Sequence, residues 1–276
     1  MVTGLGFFFT CCKALAVLCL CFLFPLLFDR AAASPWVQAE KTLLLISRTD
    51  HFNADLGQFE NNGASIESNY ERIDAQTYVE YGLTQNIMVG GKAIYGTSWL
   101  RRGNDVQTAA GFSEIEAFGQ LQVFRKGKSA GSARIGLSRP SNFSSGARPA
   151  LQSDGIDIDA AFLYGRNLTS GNIKLFSTLE AGFRKRTGSA ADQISLHSTL
   201  GMEPGKRWLV LVESFSITSL GNNESGGADF DIVKIQPSIL WRLSPRLGLQ
   251  LGATQEVTGR NIDLGRSFFF GIWARF

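Results

Sequence analysis

Beyond residue 21 this chain has no cysteine, since Cys11, Cys12, Cys19 and Cys21 are its only four. The rest of the molecule therefore has no disulfide, no thiol nucleophile and no cysteine-bound metal, which excludes a small disulfide-stapled secreted domain. Beyond residue 33 there is also no apolar run near the roughly 20 residues that a transmembrane helix needs, so a helical inner-membrane protein is excluded. Charge of one sign is missing too. The net formal charge is +3 on 276 residues, with no basic block, which argues against a nucleic-acid partner. Histidine is scarce: His51 and His197 are far apart and in no metal-ligand spacing. No phosphate-cradling glycine loop or calcium-type acidic ladder occurs. The expectation is a chain with no metal and no cofactor.

The cysteines sit in a segment that reads as a secretory signal. Lys13 gives a weak basic region, residues 14–28 an apolar core, and Ala31-Ala32-Ala33 a small-residue cleavage site before Ser34. The predicted organisation is a signal peptide over residues 1–33 and one domain over 34–276. Cleavage removes Lys13, Arg30 and Asp29, leaving 25 basic and 23 acidic residues on 243.

What the remainder does have is alternation. Ile73, Ala75, Thr77, Val79 and Tyr81 interleave with Asp74, Gln76, Tyr78 and Glu80. The same holds for Ile173 to Phe183 against Lys174, Thr178, Glu180 and Arg184, and for Val233 to Trp241 against Lys234, Gln236, Ser238 and Arg242. A period of two marks strands with one apolar and one polar face. Twelve such segments are predicted: 41–52, 71–83, 86–98, 112–125, 130–138, 155–166, 172–185, 193–203, 207–218, 229–242, 246–257 and 264–276. In 207–218 the facing is open, because Leu209 and Leu211 compete with Val210 and Val212. Pro237 predicts a local distortion, since proline cannot donate to the ladder.

The connections have a rhythm. Turns near 83–86, 126–128, 168–171, 203–206 and 243–246 are short, whereas 53–70, 99–111, 139–154, 186–192, 219–228 and 258–263 are mostly longer and rich in Gly, Asn, Ser and Asp. Short turns at one end and long loops at the other describe an outer-membrane barrel, whose sheet must close because hydrocarbon tolerates no unpaired edge. Both termini then lie on the short-turn side, which requires an even strand number; ten or fourteen strands are the alternatives to twelve. The chain ends Phe268, Phe270, Ile272, Ala274, Phe276 along one face, and Phe268, Phe270 and Phe276 are the expected barrel-assembly signal. Aromatic girdles are expected at Trp36, Tyr81, Tyr95, Trp99, Phe124, Tyr164, Phe183, Trp208, Trp241, Phe268 and Phe276. The fold class is all-β, a transmembrane antiparallel barrel of about 12 strands.

On the polar faces the expected lumen-lining residues are Asp74, Glu80, Lys92, Glu114, Glu116, Asp157, Asp159, Lys174, Glu180, Arg184, His197, Lys234 and Arg242, with Arg266 and Arg275 adding interior charge. Glu114 and Glu116, and Asp157 and Asp159, are two residues apart on a strand, so each pair shares a face at about 7 Å. Neither pair declares glycosidase chemistry. Ser195 and His197 are likewise not poised as nucleophile and base. No catalytic residue is assigned, and the enzyme question stays open with the balance against it.

The start Ser34-Pro35-Trp36-Val37-Gln38-Ala39-Glu40, the strand 43–46 and the hairpin Gln76-Thr77-Tyr78-Val79-Glu80-Tyr81-Gly82-Leu83-Thr84 resemble the XagA-like outer-membrane barrels of proteobacteria, mainly over residues 35–90. Lys41-Thr42 stand where that family has glycines. The resemblance implies an envelope location and an association with surface polysaccharide, and it supplies no catalytic residues. The expected function is a narrow channel, or an export-associated barrel, for small solutes or surface glycan. The alternative is a non-conducting anchoring barrel that binds polysaccharide through Phe59, Asn61, Asn62, Asn69, Tyr70 and Trp99. A barrel lipase or deacylase is the third reading. The expected partners are outer-membrane lipid, the assembly machinery and surface polysaccharide.

Overall fold

The computed structural model describes residues 34–61, 64–140, 155–169, 173–187, 190–221 and 229–276. The leader assigned to residues 1–33 lies outside them. Twelve strands follow one another: β1 (Leu43–Asn61), β2 (Ala64–Gly82), β3 (Ile87–Arg102), β4 (Asp105–Lys126), β5 (Ser129–Pro140), β6 (Asp157–Asn167), β7 (Lys174–Lys185), β8 (Gln193–Glu203), β9 (Trp208–Ser219), β10 (Asp231–Arg242), β11 (Leu247–Arg260) and β12 (Gly265–Arg275). Each pairs antiparallel with its neighbours in sequence, and β12 pairs with β1 to close a 12-stranded barrel. Closure leaves no edge along the wall. Among the described residues no helix is long and apolar enough to cross a membrane.

Burial follows the alternation. On β12, Phe268, Phe270 and Ile272 are exposed, while Ser267, Phe269 and Trp273, alternating with them, are buried. Ile135 and Leu137 on β5, and Leu251 on β11, are likewise exposed. Large apolar side chains directed outward on successive strands form the belt that a water-soluble sheet would have to bury. The facing of β9, open in the sequence, is settled: Leu209 and Leu211 are buried inside and Val212 is exposed. The expected distortion at Pro237 also has a place. The Pro237 carbonyl faces Gly252 of β11, and the pairing of β10 with β11 passes from Ile235 to Ser238 without residues 236 and 237.

Two expected loops are instead strand. Segments 53–70 and 99–111 continue as ladders, from Ala54↔Tyr70 up to Asn61↔Ala64 and from Trp99↔Thr108 up to Arg102↔Asp105. Beyond the rim both faces of a strand meet water, so polar residues and glycine satisfy the ladder as well as they satisfy a loop. A β-bulge between Asp55 and Gly57, with Gly57 at φ 74°, sits on this extension. His51, expected at the end of the first strand, is therefore near its middle.

An apolar floor crosses the short-turn end. Leu44, Ile46, Phe176, Leu209, Leu211, Leu240 and Trp273 form one buried cluster, with Tyr78 packed against it. Leu44 on β1 and Phe176 on β7 come from opposite walls, so the cluster crosses the interior. Phe176 has room because Gly201 stands opposite it on β8, where an added Cβ would overlap its ring. Gly201→Val is therefore expected to expel Phe176 from the floor and cost about 2–3 kcal/mol. The readout is the urea midpoint of the heat-modifiable gel band, and an unchanged midpoint would mean that the floor repacks freely.

Candidate functional site

Polar residues on the inward faces meet above this floor. Because alternate residues point inward, β3 brings Lys92, β4 brings Glu114 and Glu116, β5 brings Arg134, and β6 to β8 bring Asp159, Glu180, Arg184 and His197. Lys92 Nζ lies 2.9 Å from Glu114 Oε2 and 3.1 Å from Glu116 Oε2. Arg184 donates from Nε to Asp159 Oδ1 at 2.6 Å and reaches Glu114 Oε1 from Nη2 at 3.5 Å. That second contact spans two intervening strands, so it runs through the barrel interior. Ser138 donates to Asp159 Oδ2 at 3.0 Å. Arg134 Nη1 donates to Glu180 Oε2 at 3.1 Å while its Nε and Nη2 hold Gln120 Oε1 at 3.1 and 3.0 Å. His197 Nδ1 lies 3.8 Å from Glu180 Oε1, and its ring packs edge-on against Phe215 with centroids 5.1 Å apart.

The opposite wall carries three cations of its own, Arg48, Arg72 and Lys234. Glu213 on β9 accepts from Gln236 Nε2 at 2.7 Å, and Thr254 donates to Gln236 Oε1 at 3.0 Å. Lys234 Nζ meets Glu256 Oε1 at 2.7 Å. Arg72 donates to Asp74 and Arg48 to Asp50, each from Nε at 2.7 Å, and the Arg48 guanidinium lies 3.6 Å over the Phe269 ring. Charges at such spacing in a partly dry interior are satisfied as pairs, because an unpaired one would bear its full desolvation cost.

The floor is completed by the segment ahead of β1. Ser34, Pro35 and Trp36 are buried. Gln120 Nε2 donates to the Ser34 carbonyl at 2.9 Å, and Gln122 Nε2 to the Pro35 carbonyl at 2.9 Å. Ser132 Oγ donates to that same Pro35 carbonyl at 2.5 Å. Gly165 of β6 has no side chain where Pro35 and the Trp36 ring press against it. Two residues on, Gln38 Nε2 donates to Glu80 Oε2 at 2.6 Å, while Tyr78 donates to Glu80 Oε1 at 2.6 Å. Trp36, expected in an interfacial girdle, is thus an interior residue. The sequence could not show this, because no periodicity sets the facing of a segment outside the strands.

At the long-loop end, Arg186 and Asp157 are both buried and lie 3.5 Å apart. Asp192 accepts from Lys185 Nζ at 2.8 Å and from the Arg186 backbone N–H at 2.9 Å. The Lys185 bond is the main force holding the Asp192 carboxyl below the ordinary carboxylate range. Outside this rim, Arg260 joins Asp231 at 2.7 Å and Asp229 at 2.6 Å.

Of the residues expected inside, Lys92, Glu114, Glu116, Asp159, Glu180, Arg184 and His197 share one network. Asp74, Glu80, Asp157 and Lys234 each have a separate partner. Lys174 and Arg242 both reach Glu203 at the short-turn end, Lys174 at 3.7 Å. Arg266 is a correction. It shares the exposed face of Phe268 and Phe270, as its spacing of two from Phe268 required. Arg48, Asp50, Arg72, Arg134, Glu213 and Glu256 are interior charges that the sequence reading left unassigned, although Arg134 alternates with buried Ser132 and Ser138. Asn62, named for glycan binding, lies outside the described residues. Among the described residues no cluster of three metal-ligating side chains occurs, and no serine hydroxyl hydrogen-bonds to His197.

No protein-family model and no curated protein sequence matches this chain. Solved structures do. The COG4313 outer membrane channel from Pseudomonas putida F1 superposes with TM-score 0.62 at 10% identity, over 90% of this chain and 100% of that one. The NanC porin superposes with TM-score 0.53 at 6% identity, over 83% and 98%. The transport unit of the autotransporter AIDA-I from Escherichia coli gives 0.52 at 12% identity, over 90% and 93%. The fold is that of bacterial outer-membrane β-barrels, a class holding channels, porins and autotransporters.

Proposed function

We propose that this chain, after loss of residues 1–33, is a narrow outer-membrane channel for small polar solutes, with its resting path closed at the short-turn end. The observation that carries the reading is the charged layer spanning the interior above the floor. A barrel that serves only as an anchor can fill its interior with apolar side chains, whereas water and ions need polar walls. Part of the floor is the short segment Ser34–Trp36, held mainly by hydrogen bonds to its carbonyls, and displacing it opens the path without unpairing a strand. Leaving aside the pairings at the two ends (Arg186 with Asp157, and Lys174 and Arg242 with Glu203), the inner cations Arg48, Arg72, Lys92, Arg134, Arg184 and Lys234 are outnumbered by Asp50, Asp74, Glu80, Glu114, Glu116, Asp159, Glu180, Glu213 and Glu256. Residues Phe268, Phe270 and Phe276 fit the assembly signal that a barrel of this kind presents to the insertion machinery.

The purified chain in a planar bilayer is expected to give small conductance steps with a cation preference that weakens as salt rises. Folded but electrically silent protein, or an anion preference, would reject this reading. A second reading, a non-conducting barrel that retains surface polysaccharide, draws on the XagA-like resemblance over residues 35–90. It is favoured by the strand extensions, since β1 and β2 rise past Ala54, where pairing with β12 ends. Asn69 lies on that raised sheet, with Tyr70 and Trp99 at its base.

A further inference from the structure

The correction at Arg266 points to a surface. On the outer wall, one register line joins Gln255 to Arg266, Arg266 to Asn53, Asn53 to Glu71 and Glu71 to Trp99. The line crosses five neighbouring strands, β11, β12, β1, β2 and β3. From Arg266 to Trp99 it spans about 14 Å at the usual strand separation.

Its place on the wall is fixed by what lies one outward step below it. There the same strands carry Ala253, Phe268, His51, Ile73 and Thr97, and below those the wall passes into the apolar belt of Leu251, Phe270 and Tyr95. The polar line is therefore the first level above hydrocarbon on the long-loop side, where the headgroups of the outer leaflet lie.

The chemistry of the line is selective. Glu71 is already engaged, by His51 Nε2 at 2.7 Å and by Arg101 Nη2 at 3.7 Å. Arg266 is exposed, and among the described residues no carboxylate lies within ion-pair distance of it. Asn53 and Asn69 meet side chain to side chain at only 3.4 and 3.5 Å, and the Asn69 amide nitrogen also donates to the Ala54 carbonyl at 3.2 Å, so the Asn53 amide and the Asn69 amide oxygen are the groups left open to stronger partners. Trp99 is half-exposed at the end of the line. An unneutralised guanidinium, the loosely held Asn53 amide with the Asn69 amide oxygen beside it, and an indole suit a phosphate, sugar hydroxyls and the apolar face of a sugar ring respectively.

We propose that this line, with Asn69 one outward step above it, is a binding surface for the phosphorylated sugar headgroup of an outer-leaflet glycolipid, with Arg266 on the phosphate, Asn53 and Asn69 on hydroxyls and Trp99 against the sugar face. The acyl chains then continue down the apolar belt, so headgroup and tails are bound by one continuous wall. This rests on the outer-membrane placement but not on conduction, so a silent barrel leaves it standing.

The test measures binding of bis-phosphorylated lipid A to the detergent-purified chain by native mass spectrometry. Dephosphorylated lipid A is the second probe, and the heat-modifiable gel shift verifies folding. Arg266→Gln is expected to weaken lipid A binding about tenfold, the loss typical of one charge-assisted contact. Trp99→Ala, which keeps every charge, is expected to weaken it about threefold. Arg166→Gln removes an exposed cation from the opposite rim and is expected to leave binding unchanged. An Arg266→Gln barrel that binds like the parent, an equal loss in Arg166→Gln, or equal binding of the dephosphorylated lipid would each overturn the proposal.

Discussion

Barrels lacking Ser34–Gln38 are expected to conduct at least about fivefold more than the intact chain, because the deletion removes side chains and backbone from the buried floor across the proposed path. Pro35 and Trp36 occupy the floor beside β4, β5 and β6, where Gly165 leaves them room. Gln120, Gln122 and Ser132 lose their carbonyl acceptors and are left as polar groups facing a gap, which water enters readily. The strands themselves keep every ladder bond. The deletion variant should therefore still show the heat-modifiable gel shift. A companion triple variant, Gln120→Ala with Gln122→Ala and Ser132→Ala, keeps the segment but removes its three donors. It should flicker between the parent level and the deletion level. If the deletion variant folds and conducts like the parent, the seal belongs to Leu44, Phe176, Leu209 and their neighbours instead, and Ser34–Trp36 is packing rather than a gate.

That segment also marks the limit of what the sequence discloses. Within the membrane the alternation is enforced by two incompatible solvents, so the facing of Ile73 against Asp74, or of Phe183 against Arg184, can be read directly. The apolar tail at Phe276 is legible for the same reason, and its backbone closes onto Leu43 of β1 through reciprocal bonds of 2.9 and 3.0 Å. The signal fades where one solvent meets both faces. Asp55 to Asn69 has the composition of a loop and the geometry of a ladder, because nothing above the rim penalises a polar residue on either side. Inside the barrel, parity finds a charge but not its partner. The spacing of Glu114 and Glu116 was visible, yet their joint contact with Lys92 depends on the register of β3 against β4, where Lys92 stands opposite Glu116. Arg266 shows the opposite failure: its parity was legible, and the pull of a positive charge toward an interior role obscured it.

The Lys92 junction yields the other large effect. Lys92→Met should destabilise the barrel by about 2–3 kcal/mol, less than the 3–5 kcal/mol typical when a fully buried pair loses one partner. The discount is physical, because the side chains of Lys92, Glu114 and Glu116 keep 23%, 20% and 15% of their surface exposed and solvent screens what remains. Methionine fills the volume of the lysine stem, so the cost measures charge rather than a cavity. Two carboxylates are then left on one strand face with only the Arg184 guanidinium, 3.5 Å from Glu114, for compensation. Their repulsion either recruits protons or loosens β4 at this level. Adding Glu116→Gln removes one of the two charges and should recover most of the lost stability, the coupling expected of groups sharing one cation. The readout is the urea midpoint of the heat-modifiable band for the parent, both single variants and the double variant. Additive losses would show that Lys92 contributes packing alone. In the same bilayer assay, Lys92→Met should raise cation preference, since it deepens the negative charge of the interior, and Glu116→Gln should lower it.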